Sequence, residues 1–329
     1  MIGRMPVSAR EAIEPPRARR GIFSTAGLPA AQRVRLWESH NAAALIGLDV
    51  HADDALQASE INLQLPGVRL ARVRGSAHAI DRSPEVIDRY PADSVAIYLT
   101  LRGGAWFTSA EGTHRLRPGD ALVCATDQPF ARGFDGGLDE LVVAVPCSAL
   151  LSRCDIARPA KPLITSFGTP SPPPGSSTYA HALARLAGQA TGTGYSPPPD
   201  ERTVLDLVAV LIAGRVAALA AAHRAAAHCY IEEHLTSPGL SADEVAAAAG
   251  ISGRQLSRVF AAVGTSVPGH ILARRLQLAY SILAAPPPAS AEADQTVADV
   301  AARCGFTSAS YFSHAFRQHF GLRASDLRR

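Results

Sequence analysis

Ser241 and Glu244 are a hydroxyl and a carboxylate three positions apart. At the start of a helix that spacing lets each side chain bond the other's backbone N–H. Thr296 and Asp299 repeat it, and the repetition extends beyond the caps. Ser241-x-x-Glu244-Val245-Ala246 runs on to Gly250-Ile251, and Thr296-x-x-Asp299-Val300-Ala301 runs on to Gly305-Phe306. Each is followed by a second amphipathic segment. A capped short helix, a glycine and a second helix make the pattern of a helix-turn-helix, and two such units predict a chain that reads DNA.

Close crossing of two helices makes particular positions sterically demanding. Ala246 and Ala301 are small where the second helix would cross the first, and Gly250 and Gly305 fall where the turn needs a left-handed backbone. Val245, Ala249, Ile251, Leu256 and Val259 supply an internal apolar face to the first unit. Val300, Cys304, Phe306, Phe312 and Ala315 do so for the second, whose turn is one residue longer. An ordinary helical hairpin also favours Ala and Gly, but two matched caps argue against it. Charge points the same way. Between Gly250 and Tyr280 lie Arg254, Arg258, Arg274 and Arg275 and no acid. From Val300 onward lie Arg303, Arg317, Arg323, Arg328 and Arg329 against Asp326 alone. These windows are expected to face phosphates.

The segments Ser252-Gly-Arg-Gln-Leu-Ser-Arg-Val-Phe260, Gly264-Thr-Ser266, Arg274-Arg-Leu-Gln-Leu-Ala-Tyr-Ser-Ile-Leu283 and Tyr311-Phe-Ser-His-Ala-Phe-Arg317 with Phe320-Gly321 resemble the AraC/XylS family of bacterial transcription regulators. The upstream region resembles, less closely, that family's cupin-like regulatory domain. Gly253, Ala324 and the long loop Pro286 to Gln295 depart from the family pattern, at a helix start, the terminal cap and the linker. The resemblance implies two helix-turn-helix units joined by a rigid helix, about Pro268 to Ala284. Their second helices would enter successive major-groove segments about 34 Å apart. It places Arg254, Ser257 and Arg258 at bases from the first unit and Ala309, Ser310, Ser313 and His314 at bases from the second, with Gln255 also among the DNA-binding residues. Arg258 can bond guanine O6 and N7 with both arms of its fork, or else hold a phosphate. Ser252, Ser308 and Arg317 are expected as phosphate anchors. The partners implied are double-stranded promoter DNA, RNA polymerase, a small-molecule effector and a second copy of the chain in a homodimer. Activation is the expected mode.

The rest of the chain must position these units. Its 329 residues, 47% hydrophobic and 19% charged, suffice for two cores. The net charge of +3 says little about nucleic acid, and Lys161 is the only lysine, so the basic charge is arginine. Five cysteines, odd in number and without a C-x-x-C pair, indicate neither a disulfide framework nor a thiolate zinc site. Arg19-Arg20 hints at a twin-arginine signal, but no apolar stretch follows, and a cytoplasmic location is expected. The most apolar run, Leu205 to Ala222, is interrupted by Asp206, Gly214 and Arg215 and reads as a buried helix.

Fold class is expected as two-domain. A mainly-β cupin-like barrel with flanking helices precedes an all-α domain with two helix-turn-helix units. Residues 1–20 read as a flexible arm, 21–160 as the regulatory domain, and 161–224 as a Pro-rich linker with helices. Residues 225–329 read as the DNA-binding domain, with its units at about 240–263 and 296–320. Gln32 to His40 and Asp53 to Glu60 are expected as short helices. Val95 to Leu101, Ala105 to Thr108, Thr113 to Leu116, Ala121 to Ala125 and Leu138 to Val145 are expected as strands of a small barrel or sandwich. Helices are expected at Tyr179 to Gln189 and, as one long apolar rod suited to dimerisation or domain packing, at Glu201 to Arg224. Pro286-Pro287-Pro288 requires a loop.

Within the β region His114 is the sole histidine between Pro91 and Pro146, and no His-x-His occurs. Gly-x-Ser-x-Gly, P-loop and Cys/His nucleophile patterns are missing too. No catalysis, metal or cofactor is expected, although a cupin-type metal enzyme fused to a DNA-binding tail is the alternative. An effector pocket is the preferred reading. Tyr98, Trp106 and Phe107 lie on adjacent strands, with Arg102 and Arg132 nearby as carboxylate partners. Strand aromatics equally suit a core.

Overall fold

The computed structural model describes residues 18–52, 56–168, 178–192, 197–217, 219–284 and 296–328. Residues 1–17 of the expected arm, the Thr169 to Ser177 stretch and the Pro286 to Gln295 loop lie outside these. So does Arg329.

Antiparallel strands build two sheets. The larger orders β1 (Arg19–Ser24), β3 (Ala58–Gln64), β4 (Arg69–Gly75), β11 (Leu138–Pro146), β6 (Ser94–Arg102), β9 (Asp120–Ala125) and β12 (Leu163–Ser166). The smaller orders β2 (Asp49–His51), β5 (His78–Arg82), β10 (Phe130–Phe134), β7 (Ala105–Ser109) and β8 (Gly112–Leu116). The sheets face each other without joining into a closed barrel. Alternation along each strand explains the two cores. On β4, Ala71 and Val73 point between the sheets with Tyr98, Leu122, Phe107 and Phe130. Leu70 points to the other side, where Ile97, Leu141 and Val143 meet the helices.

Helix α1 (Ala30–Ala44) sets Trp37 against the inter-sheet core. After the short α2 (Pro84–Arg89), helices α3 (Cys147–Cys154), α4 (Thr178–Ala190) and α5 (Glu201–Ala217) cover the outer face of the large sheet. The α1, α4 and strand expectations agree with this arrangement. The helix expected over Asp53 to Glu60 does not. Residues 53–55 lie outside the described set, and Ala58–Gln64 is strand β3. Ala58, Glu60 and Asn62 are buried in alternation with the half-buried Ser59 and Ile61. That period of two was hidden because polar residues sit on the buried face.

The rod expected over Glu201 to Arg224 is also corrected. Gly214 takes φ 76° and ψ 164°, a conformation outside the helix region, and α6 (Leu219–Glu233) folds back against α5. The buried Arg224 forks onto Asp206 at 2.8 and 2.7 Å and ties the two helices together. The apolar run is thus a hairpin enclosed by the sheet side and its own second limb. Helix α6 runs without a break through Ala225, where a domain boundary was expected. Its first half joins the sheet-side core at Ala225, and its second half joins the helical core through Ala227 and Ile231, with Leu235 following in the turn beyond it. Strand β1 begins at Arg19, inside the stretch expected as an arm.

Candidate nucleic-acid interface

Helices α7 (Ala242–Ala249) and α8 (Gly253–Ala261) form the first helix-turn-helix, and α10 (Val297–Arg303) and α11 (Ala309–Phe320) the second. Both capping boxes form. Ser241 Oγ accepts from Glu244 N while Glu244 accepts from Ser241 N at 2.9 Å. Thr296 and Asp299 repeat this, also at 2.9 Å. Gly250 and Gly305 have φ 69° and 80°, the left-handed turn that a Cβ would disfavour. From that glycine to the cap of the next helix the second unit carries one extra residue, Thr307, as the sequence predicts.

The second helix of each unit buries one face and leaves the other open. In α8, Leu256 and Phe260 are buried, while Arg254, Ser257 and Arg258 are exposed and Gln255 is half-buried. In α11, Phe312, Ala315 and Phe316 are buried, while Ala309, Ser310, Ser313, His314 and Arg317 are exposed. The residues expected at bases therefore share one outer face in each unit. Ser252 and Ser308 cap these helices by accepting from Gln255 N and Tyr311 N. Each sits at a helix N-terminus, where unpaired backbone N–H groups favour a phosphate. Ser257 and Ser313 donate to carbonyls one turn back, Gly253 O and Ala309 O, both at 2.9 Å. Tyr311, 54% exposed on α11, was not singled out by sequence reasoning. Its signal was its place one residue after Ser310, before the buried Phe312.

Two arginines of the expected positive window do not face outward. Helix α9 (Val267–Ala284) joins the units and carries both. Arg274 is buried, forks onto Glu232 of α6 at 2.6 and 3.1 Å, and donates to Pro198 O at 2.9 Å. Arg275 donates to Leu235 O and Ser237 O at 2.9 and 2.6 Å, beyond the end of α6. These residues tether rather than read. Their partners lie some forty positions away in sequence, and charge counting along the chain could not find them.

Beside Arg274 lies a buried polar joint. His228 of α6 and His270 of α9 stack at 4.3 Å, with Phe260 of α8 edge-on to His228. His228 Nδ1 lies 2.6 Å from Thr203 Oγ1 at the start of α5, and Asp200 is 3.7 Å away. Burial, then the neighbouring His270, pushes the His228 imidazolium down to about 3, and burial likewise lowers His270.

The residues expected at an effector occupy different surroundings. Between the sheets, Arg132 is fully buried, donates to both oxygens of Glu140 at 2.9 and 2.8 Å, and lies 3.9 Å from the Tyr98 ring. Tyr98 is also buried, its hydroxyl without a hydrogen-bond partner among the described residues, and burial raises its phenol. It borders a void of about 30 Å³ together with Trp37, Asn41, His78 and Glu140, which suits about one water. Phe107 packs on Phe130 at 5.7 Å, and Trp106 is half-buried over Gly133. Arg102 stands apart, exposed at the end of β6, with no ion pair or hydrogen bond among the described residues. Tyr98 and Arg132 are brought together; Arg102 belongs to a separate open bowl with Arg72 and Arg74. Among the described residues no group of three His, Cys, Asp or Glu could hold a metal ion, and no helix is long and apolar enough to cross a membrane.

Known proteins share both halves. Residues 245–329 match a helix-turn-helix domain model, and residues 37–215 match an AraC-binding-like domain model. The transcriptional activator RhrA of Rhizobium meliloti (strain 1021) is 35% identical over 99 residues, which span 30% of this chain and 30% of that protein. The transcriptional activator NphR of Rhodococcus sp is 25% identical over 268 residues, spanning 77% of this chain and 75% of that one. The crystal structure of the AraC-like transcriptional activator CuxR matches at a TM-score of 0.48 with 20% identity, covering 80% of this chain and 96% of that chain.

Proposed function

Since the chain belongs to the AraC family and is a DNA-binding transcription regulator, we propose that it acts as an effector-responsive activator of a promoter near its own gene. The observation that supports this reading is the pair of capped units, each with one polar face of its second helix left open to solvent. Arg254, Ser257 and Arg258 contact bases from α8, with Gln255 at their edge. Ala309, Ser310, Ser313 and His314 do so from α11. Ser252, Ser308 and Arg317 anchor phosphates and set the register. An effector bound to the N-terminal domain shifts the arrangement of domains or subunits, which requires it to bind one arrangement more tightly. A homodimer would present four reading helices to paired half-sites, with RNA polymerase as the protein partner and the cytoplasm as the place of action.

Footprinting on the intergenic DNA flanking the gene tests the core of this proposal. Arg258→Ala is expected to weaken specific binding by about 1–3 kcal/mol and to relax preference at one base pair. An equal loss on random DNA would make Arg258 a phosphate contact instead. A metal-enzyme reading of the β domain would need stoichiometric iron or zinc in the purified protein.

A further inference from the structure

Five strands of the large sheet contribute one residue each to a single row. Ser24 of β1 faces Ser59 of β3, Ser59 faces Arg74 of β4, Arg74 faces Asp139 of β11, and Asp139 faces Arg102 of β6. Directly opposed residues of neighbouring strands project to the same side of a sheet, so the row is continuous. It lines an open bowl of about 620 Å³, with Arg72 beside it and Gln57, Ser76 and Gly136–Gly137 also on its wall. That volume is in the range of small-molecule sites. The void between the sheets, about 30 Å³, is not.

The bowl carries three guanidinium groups against one carboxylate. Asp139 accepts Arg72 through two bonds of 2.8 Å and Arg74 Nε at 3.3 Å, and its carboxyl is held below the usual range by Arg72 and Arg74 despite its burial. Arg72 is thus largely committed. Arg74 and Arg102 are both exposed and line the bowl, and among the described residues the outer nitrogens of Arg74 and the guanidinium of Arg102 have no partner. Guanidinium forks bond carboxylate or phosphate oxygens two at a time, and the serine hydroxyls add further donors. Such a lining suits a small, strongly hydrated anion rather than an apolar ring.

The backbone beneath the bowl is irregular at one point. The pairing of β11 with β6 shifts between Asp139 and Glu140, and such bulges re-aim side chains beside functional sites. Asp139 points into the bowl; Glu140 points between the sheets and holds the buried Arg132 over Tyr98. A ligand that draws Arg74 or Arg72 off Asp139 therefore acts on the residue next to the buried ion pair.

We propose that this outer bowl, rather than the space between the sheets, is the effector site, and that it takes a small metabolite bearing two or more phosphate or carboxylate charges. The proposal rests on the effector-responsive reading above and deepens it. Isothermal titration of the full chain with inorganic phosphate and with citrate, at an ionic strength fixed by sodium chloride, tests it. Saturable binding is expected, weakened about tenfold or more in Arg102→Gln and in Arg74→Gln, whereas Asp139→Asn, which removes the competing carboxylate, should bind more tightly. The opposite signs separate loss of a site from loss of folding. Failure of both anions to saturate, or Arg102→Gln binding like the parent, would overturn the bowl as a site. Anion binding that leaves the affinity for promoter DNA unchanged would overturn its role as the effector site. Promoter affinity of the anion-free chain reports separately on the regulator reading.

Discussion

The two helix-turn-helix units share caps and turns but differ in what they lean on. The first is built into the rest of the molecule. Its core takes Ala227 and Ile231 from α6 and Leu235 from the turn after it, and Phe260 of its second helix meets the His228–His270 stack. The second has an aromatic core of its own, with Phe306, Phe312 and Phe316 against Leu276 and Ala279 of α9 and with Phe320 and Tyr280 at its edge. One unit is therefore placed to feel changes at the start of α5, and the other to follow through α9. Sequence repetition conceals this asymmetry, because the repeated residues make local bonds and the differing ones make distant contacts.

Four perturbations would break or sharpen that contrast. The largest are core truncations. Phe260→Ala and Phe316→Ala should each cost about 3–5 kcal/mol, but hydrogen exchange should quicken in α5 and α6 for the first only. Equal effects in both variants would erase the distinction. Next is Glu232→Ala, which strands the buried Arg274 charge and should cost about 3 kcal/mol. Chemical denaturation should show it, with the first unit losing protection before the second.

Acid should discriminate as well. The folded His228 value of about 3 lies below the ordinary 6.5, so in that interval the unfolded chain binds the extra proton. This contribution is fully present above about pH 6.5 and fades as pH falls toward 3. His270 and Asp200, both lowered, act with the same sign. Melting followed from pH 7 to about 5 should show the first unit weakening, and His228→Gln should flatten the slope. A slope unchanged in that variant would remove the joint from the explanation. The smallest effects come from the caps. Ser241→Ala and Thr296→Ala should each cost about 1 kcal/mol, and similar losses would show that the units differ in their surroundings rather than in their starts.

Local bonding decided what the sequence could reveal. The capping boxes, the positive-φ glycines and the exposed faces of α8 and α11 depend on neighbours three to five positions away, and the residues predict them. Arg274 and Arg275 were expected at phosphates because their partners, Glu232 of α6 and the carbonyls of Leu235 and Ser237 beyond its end, are distant in sequence. The helix expected over Asp53 to Glu60 ran into the first residues of strand β3, whose buried face carries the polar Glu60 and so hides the apolar alternation. Tyr98 and Arg132 were legible as neighbours, whereas the buried carboxylate that engages Arg132 was not. The row from Ser24 to Arg102 could not be found without the register of five strands.

Gly214 bears on reach. A continuous helix from Glu201 to Arg224 would extend about 36 Å and would hold the reading heads away from the sheets like a strut. Because the chain reverses there, both ends of the segment stay close to the same sheet, and whatever moves the start of α5 is only a few side chains from Phe260. Among the described residues no atom comes within 4 Å of the space where a Cβ would sit at Gly214, so Gly214→Ala is opposed there by torsion, of order 1–3 kcal/mol. That strain favours straightening the hairpin into the strut, and a crosslink bridging its two limbs would hold the short lever closed.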